Sequence, residues 1–132
     1  MINPSMLLRR ALQADAVASG AMAVLLTSAG GALAPAFDLP ETLLRETGLF
    51  LIVYAALVGW LSSRAAMSKP LLWAVIAGNA LWTLGSLVLL VDGPVAPNML
   101  GEAFIAAQAI AVGVFAELQY VGLRRSGVAL TA

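Results

Sequence analysis

The chain of 132 residues contains no cysteine and no histidine, so it can form no disulfide, no thiolate metal site and no histidine-ligated haem or zinc centre. Charge is almost as scarce: charged residues make up 11% and hydrophobic ones 61%, whereas charged residues are about a quarter of an ordinary soluble domain. The single lysine, Lys69, falls between apolar runs, which excludes a retinal-type Schiff base inside a bundle. There is no nucleophile–base motif, metal-ligand cluster or phosphate loop. Neither an enzyme nor a bound cofactor or metal is therefore expected. Proline is absent from the middle of every apolar run. Pro4, Pro40, Pro70 and Pro97 lie at or just before four helix starts, and Pro35 and Pro94 are placed just after the ends of the first and third helices. No proline kink is predicted.

What is present is four apolar runs, Ala16–Phe37, Thr47–Ser63, Leu71–Val91 and Ala103–Leu123, of which only the last holds a charge, Glu117. A hydrocarbon core about 30 Å thick needs roughly 20 apolar residues at about 1.5 Å of rise each. The predicted fold is all-α: a polytopic membrane protein with a single domain over residues 1–132, its four transmembrane helices in an up-down-up-down bundle with spans near 12–34, 42–63, 70–91 and 99–123. The first run is long enough to cross a bilayer and is read as a span, although Ala32-Leu33-Ala34 resembles a leader cleavage site. Four spans leave no room for a soluble catalytic domain.

Arg9, Arg10, Arg64, Lys69, Arg124 and Arg125 fall on one side of this arrangement and Arg45 on the other. The positive-inside rule then places both termini in the cytoplasm, with the protein in a bacterial inner membrane. The opposite face carries Asp38, Glu41, Glu46, Asp92 and Glu102, an acidic rim explained by caps and solvated connections. Topology accounts for the basic residues, so no nucleic-acid partner is expected. Asn3 before Pro4, Asp38 with Glu41 three residues later, and Ser68 before Pro70 are predicted N-terminal caps, and Asp92-Gly93-Pro94 a stop. An offset of 60 sets Arg9 against Lys69, Arg64 against Arg124 and Trp60 against Tyr120, as a parallel duplication would. Any four-span chain with both ends inside shares that coarse layout.

Within lipid, helices associate through close packing and interhelical hydrogen bonds. Candidate seams are Ala16/Gly20, Ala55/Gly59, Ala109/Gly113, and Gly78 with Gly85 two turns apart. Trp60, Trp73 and Tyr120 are expected as interfacial anchors. Trp82 sits at mid-span with Asn79, Thr83 and Ser86 continuing a polar stripe, so the third helix is predicted to lie inside the bundle with that stripe inward. Asp15 and Glu117 each lie roughly 7–11 Å inside the basic band, at matching depth on the first and last helices. Intramembrane acids are costly. Facing each other, the two could share a proton or hold a cation, with Gln119, Tyr120 or Asn79 supporting them. Paired instead with Arg9, Arg10, Arg124 and Arg125, they would clamp the helix ends, which is the favoured expectation.

The strings Gly78-Asn79-Ala80-Leu81-Trp82 and Phe115-Ala116-Glu117-Leu118-Gln119-Tyr120-Val121-Gly122-Leu123-Arg124-Arg125 resemble an uncharacterised family of small four-helix bacterial inner-membrane proteins. That resemblance implies the fold and orientation but no activity. The chain is also similar in length and helix number to small multidrug-resistance transporters, whose first-helix acid Asp15 would match, though the side chain is shorter and the flanking motif missing. Three functions follow, in order: a non-enzymatic accessory or assembly component contacting another membrane protein or a second copy of itself, a proton- or cation-coupled small-molecule carrier using Asp15 and Glu117, and, last, a membrane enzyme.

Overall fold

A computed structural model describes residues 1–128. Four helices, α1 (Met6–Phe37), α2 (Glu41–Ser62), α3 (Lys69–Asp92) and α4 (Met99–Arg124), are each long and apolar enough to cross a bilayer. The chain is an all-helical membrane protein. At about 1.5 Å per residue the 32 residues of α1 span about 48 Å, so both of its ends reach past the hydrocarbon. Two short strands, β1 (Ile2–Asn3) and β2 (Gly127–Val128), pair antiparallel, and Ile2 also bridges to Met67 in the α2–α3 connection. This clasp ties both described ends of the chain to one face of the bundle.

The caps follow local chemistry, with two departures from expectation. Ser68 and Asn98 accept from Leu71 N and Gly101 N, and Gly93 ends α3. However, the cap of α1 is Ser5, not Asn3: its hydroxyl accepts from Leu8 N and donates to Gly122 O at 2.7 Å, tying the first turn to α4. Asp38 does not open α2 either. It closes α1 in the left-handed conformation (φ 57°, ψ 44°), and Pro40 precedes α2 with no side-chain cap. Asp tolerates that region better than most residues, and the reversal between two antiparallel helices requires it there. Pro35, expected beyond the helix, lies within the last turn of α1. So near the end, its missing N–H interrupts little.

Helix packing runs in the order α2–α1–α4–α3. Ala16 and Gly20 meet Gly59 and Ala55, where a β-carbon added to either glycine would lie 3.8 Å from the opposing alanine. Those two predicted seams are halves of one antiparallel contact. Gly113 faces Thr83 across α3 and α4 at 3.4 Å. Sequence reading missed closer approaches than these. A β-carbon on Gly122 would sit 2.7 Å from the Leu8 backbone, and one on Gly48 2.8 Å from Thr27. Gly78 and Gly85 form no seam, for a β-carbon on either meets nothing within 4 Å. The third helix is not the central one; its extensive backbone packing is against α4, and α1 and α4 form the middle. Because α1 packs on α4 while α3 stands off α2, the packing lacks the symmetry of a duplication.

Two apolar clusters close the ends. One joins Ile2, Leu8, Leu12, Leu61, Met67 and Leu123 at the arginine-bearing end, and the other joins Leu26, Phe37, Leu44 and Ile105 toward the acidic end. Arg9 seals the first by donating to Ser62 O and, at 2.8 Å, to Arg64 O, satisfying carbonyls at the end of α2. At the other end Arg45 pairs with Glu41 at 2.7 Å and donates to Thr27 O, lying over Gly30 and Gly31.

Candidate functional site

Between α2 and α3, where no helix packing closes the bundle, lies a cavity of about 870 Å³ floored by α1 and α4. Its walls are overwhelmingly apolar, with Leu26, Leu51, Leu89 and Phe115 among them, and Gly78 and Gly85 leave the α3 wall bare. The absence of a side chain at those two positions is what makes room. Two contacts cross the cleft: the Phe50 and Trp82 rings stack with centroids 5.8 Å apart, and Tyr54 reaches Asn79.

Behind the Tyr54 and Asn79 wall lies Asp15, 1% exposed. Its Oδ2 accepts from Tyr54 Oη at 2.7 Å, Asn79 Nδ2 at 3.0 Å and Gln119 Nε2 at 2.7 Å, and its Oδ1 accepts from Ser19 Oγ at 3.0 Å. One carboxyl group thereby joins all four helices. The Asn79 amide also donates to Gln119 Oε1 at 2.9 Å. Tyr54 Oη has Asn79 Oδ1 2.8 Å away as an alternative acceptor, but a single proton to give. A buried carboxyl away from water is costly unless donors surround it. Here four side chains do so, and among the described residues the one ion pair is Arg45–Glu41; no arginine reaches Asp15.

A second polar cluster continues the stripe on α3. Trp82 Nε1 donates to Gln108 Oε1 at 2.8 Å, Gln108 Nε2 donates to Ser86 Oγ at 2.9 Å, and Thr83 Oγ1 donates to Asn79 O at 3.0 Å. No buried side-chain polar atom among the described residues lacks a partner. The stripe of Asn79, Trp82, Thr83 and Ser86 does point inward as expected, although its helix is at the edge of the bundle.

The expected meeting of Asp15 with Glu117 does not occur. Glu117 is exposed on the outside of α4, because Gln119, two residues or about 200° further round the helix, takes the inward position. The arginine clamp fails as well: Arg9 goes to backbone carbonyls and Arg124 donates to the Tyr120 hydroxyl at 3.0 Å. Trp60, Trp73 and Tyr120 are 53%, 43% and 37% exposed near the arginine-bearing end, with Arg64 over Trp60 and Arg124 over Tyr120, where interfacial anchors belong. Among the described residues no His, Cys, Asp or Glu cluster could hold a metal. Sequence reading missed Tyr54 and Gln108. A glutamine in an otherwise apolar run was a signal for the second; nothing at Tyr54 announced its hydroxyl. Comparison with protein-family models, curated proteins and solved structures gives no match for this chain.

Proposed function

We propose that the protein is a non-enzymatic membrane carrier that takes a small amphipathic molecule from the bilayer into the α2–α3 cleft. The reading rests on one observation, an apolar cavity of about 870 Å³ whose wall carries Tyr54, Asn79 and Ser19 on a buried carboxyl. Cavities of roughly 300–1,000 Å³ with a few convergent polar groups suit small-molecule ligands. The ligand's apolar body lies along Leu51, Leu89 and Phe115, and its hydrogen-bonding end meets Tyr54 and Asn79. Asp15 is a positioning residue, since it reaches the cavity through its neighbours. Glu117, on the outer face, has no part in it. In the same reading the protein sits in a bacterial inner membrane with both ends cytoplasmic, as six basic residues against one favour.

The accessory role is supported by the bare Gly78/Gly85 wall, which a partner helix or a second copy could cover. Volume argues against that occupant: a membrane-spanning helix, about 10 Å across and 30 Å long, fills about 2,400 Å³, more than twice the cavity.

Brominated undecanol, an apolar chain with one hydroxyl, tests the carrier reading in a Trp60→Phe, Trp73→Phe background that leaves Trp82 as reporter. Saturable quenching of Trp82 is expected, and Gly78→Leu or Gly85→Leu should abolish saturation by filling the space that opens beside each glycine, where an added β-carbon meets nothing within 4 Å. Quenching that rises linearly and equally in all forms would remove the cleft as a ligand site. A partner protein that copurifies with the wild type but not with Gly78→Leu would favour the accessory role.

A further inference from the structure

Apart from the cleft, a second hollow of about 320 Å³ opens at the arginine-bearing end between the start of α3 and the end of α4, lined by Lys69, Trp73, Tyr120, Leu123, Arg124 and Ser126. Two cations face it and no acid lines it. Among the described residues the single ion pair is elsewhere, between Arg45 and Glu41, so neither Lys69 nor Arg124 is neutralised by a carboxylate. The Arg124 guanidinium is held in place: Nη1 donates to Tyr120 Oη at 3.0 Å, and its carbon lies 5.8 Å from the Tyr120 ring centroid. That leaves its other N–H groups for an anion. The Trp73 and Tyr120 rings, tilted by 59° with centroids 5.8 Å apart, form the wall on the membrane side. Ser126 is already engaged, donating to Gly122 O and accepting from Ser5 N; it fixes the end of α4 against α1 and so the position of Arg124.

We infer that this hollow binds the phosphodiester of an anionic phospholipid headgroup, with Arg124 and Lys69 on the phosphate oxygens and Trp73 and Tyr120 against the glycerol and upper acyl chain. Guanidinium supplies a planar fork for two phosphate oxygens and ammonium a compact charge. Indole and phenol rings favour the headgroup depth. Basic pockets between membrane helices hold anionic headgroups by the same combination. The start of α3 adds the positive end of its dipole. This site is independent of the cleft and of any carrier activity.

The test uses the full chain in mild detergent, with native mass spectrometry reading the binding of phosphatidylglycerol, phosphatidylcholine and soluble glycerophosphoglycerol. Phosphatidylglycerol should bind most tightly, and Lys69→Gln with Arg124→Gln should weaken it on the order of tenfold. Lys69→Arg with Arg124→Lys should restore most of the affinity. The charge-matched control, Arg10→Gln with Arg125→Gln, removes two exposed cations outside the hollow and should change binding less than about twofold. Soluble glycerophosphoglycerol binding as tightly as the lipid would assign the site to an aqueous phosphodiester and overturn the lipid. Equal loss in the Lys69/Arg124 double variant and the control, or no loss in either, would overturn the site itself.

Discussion

Asp15 accepts from three helices other than its own, so its removal strands several donors at once. Asp15→Ala leaves Asn79 and Gln119 each short of an acceptor, while Tyr54 can turn its one proton to Asn79 Oδ1. Each buried unsatisfied group costs about 1–3 kcal/mol, though membrane hydrogen bonds average less than 1 kcal/mol because the unfolded chain also finds partners. A net loss of about 2–4 kcal/mol is expected in denaturant titrations of mixed micelles. Asp15→Asn keeps one acceptor oxygen and should lose about half as much, while Glu117→Gln, on the outer surface, should lie within about 0.5 kcal/mol of wild type. Equal effects at Asp15 and Glu117 would refute the network. Asn79 was legible in the sequence because polar atoms in an apolar run stand out, and Asp15 because an acid five residues beyond Arg10 lies inside the membrane. Glu117 misled because spacing from Arg124 gives depth but not direction around the helix. Tyr54 was hidden for a different reason, since the aim of its hydroxyl depends on the α1–α2 register.

Helix seams differ in what they tolerate. Gly122→Ala drives a methyl group toward the backbone of Leu8, which cannot move without shifting α1, so about 1–3 kcal/mol of overpacking cost is expected. Gly85→Ala adds the same methyl to open space and should be neutral or slightly stabilising, since alanine favours helix by up to about 1 kcal/mol over glycine. Thermal unfolding of the two variants in one detergent checks the contrast, and equal destabilisation would count against the packing order. From sequence the Ala16/Gly20 and Ala55/Gly59 pairs stand out as candidate seams, but that each is the other's partner shows only in the structure. Gly78 and Gly85, two turns apart, offer residues as small, yet they border a void. Residue size reports what could approach, not whether anything does. Ser68 was legible as a cap for want of a rival; Asp38 satisfied the pattern of a cap while serving the opposite helix end.

At the level of the molecule, four long apolar runs made the helices plain, but their order did not follow. In lipid a packed leucine and an exposed one look alike, because leaving lipid for protein gains little. Thus no amphipathic stripe announced that α1 and α4 lie in the middle. The clasp of Ile2, Met67 and Val128 was equally unreadable, being three short segments brought together by helix length. It covers Leu8 and Leu12, both fully buried. A cysteine-free chain makes this testable: Leu12→Cys should resist a water-soluble maleimide and react on the order of tenfold faster once Ile2→Asp loosens the cover by about 1.4 kcal/mol. Unchanged labelling would mean that the strands do not seal that end.

Pairing Ile2 with Val128 also orders events in time. β1 precedes all four helices and β2 follows them, so β1 must wait for α4 to be made before its partner exists. A chain that stalls before α4 leaves β1 without that partner.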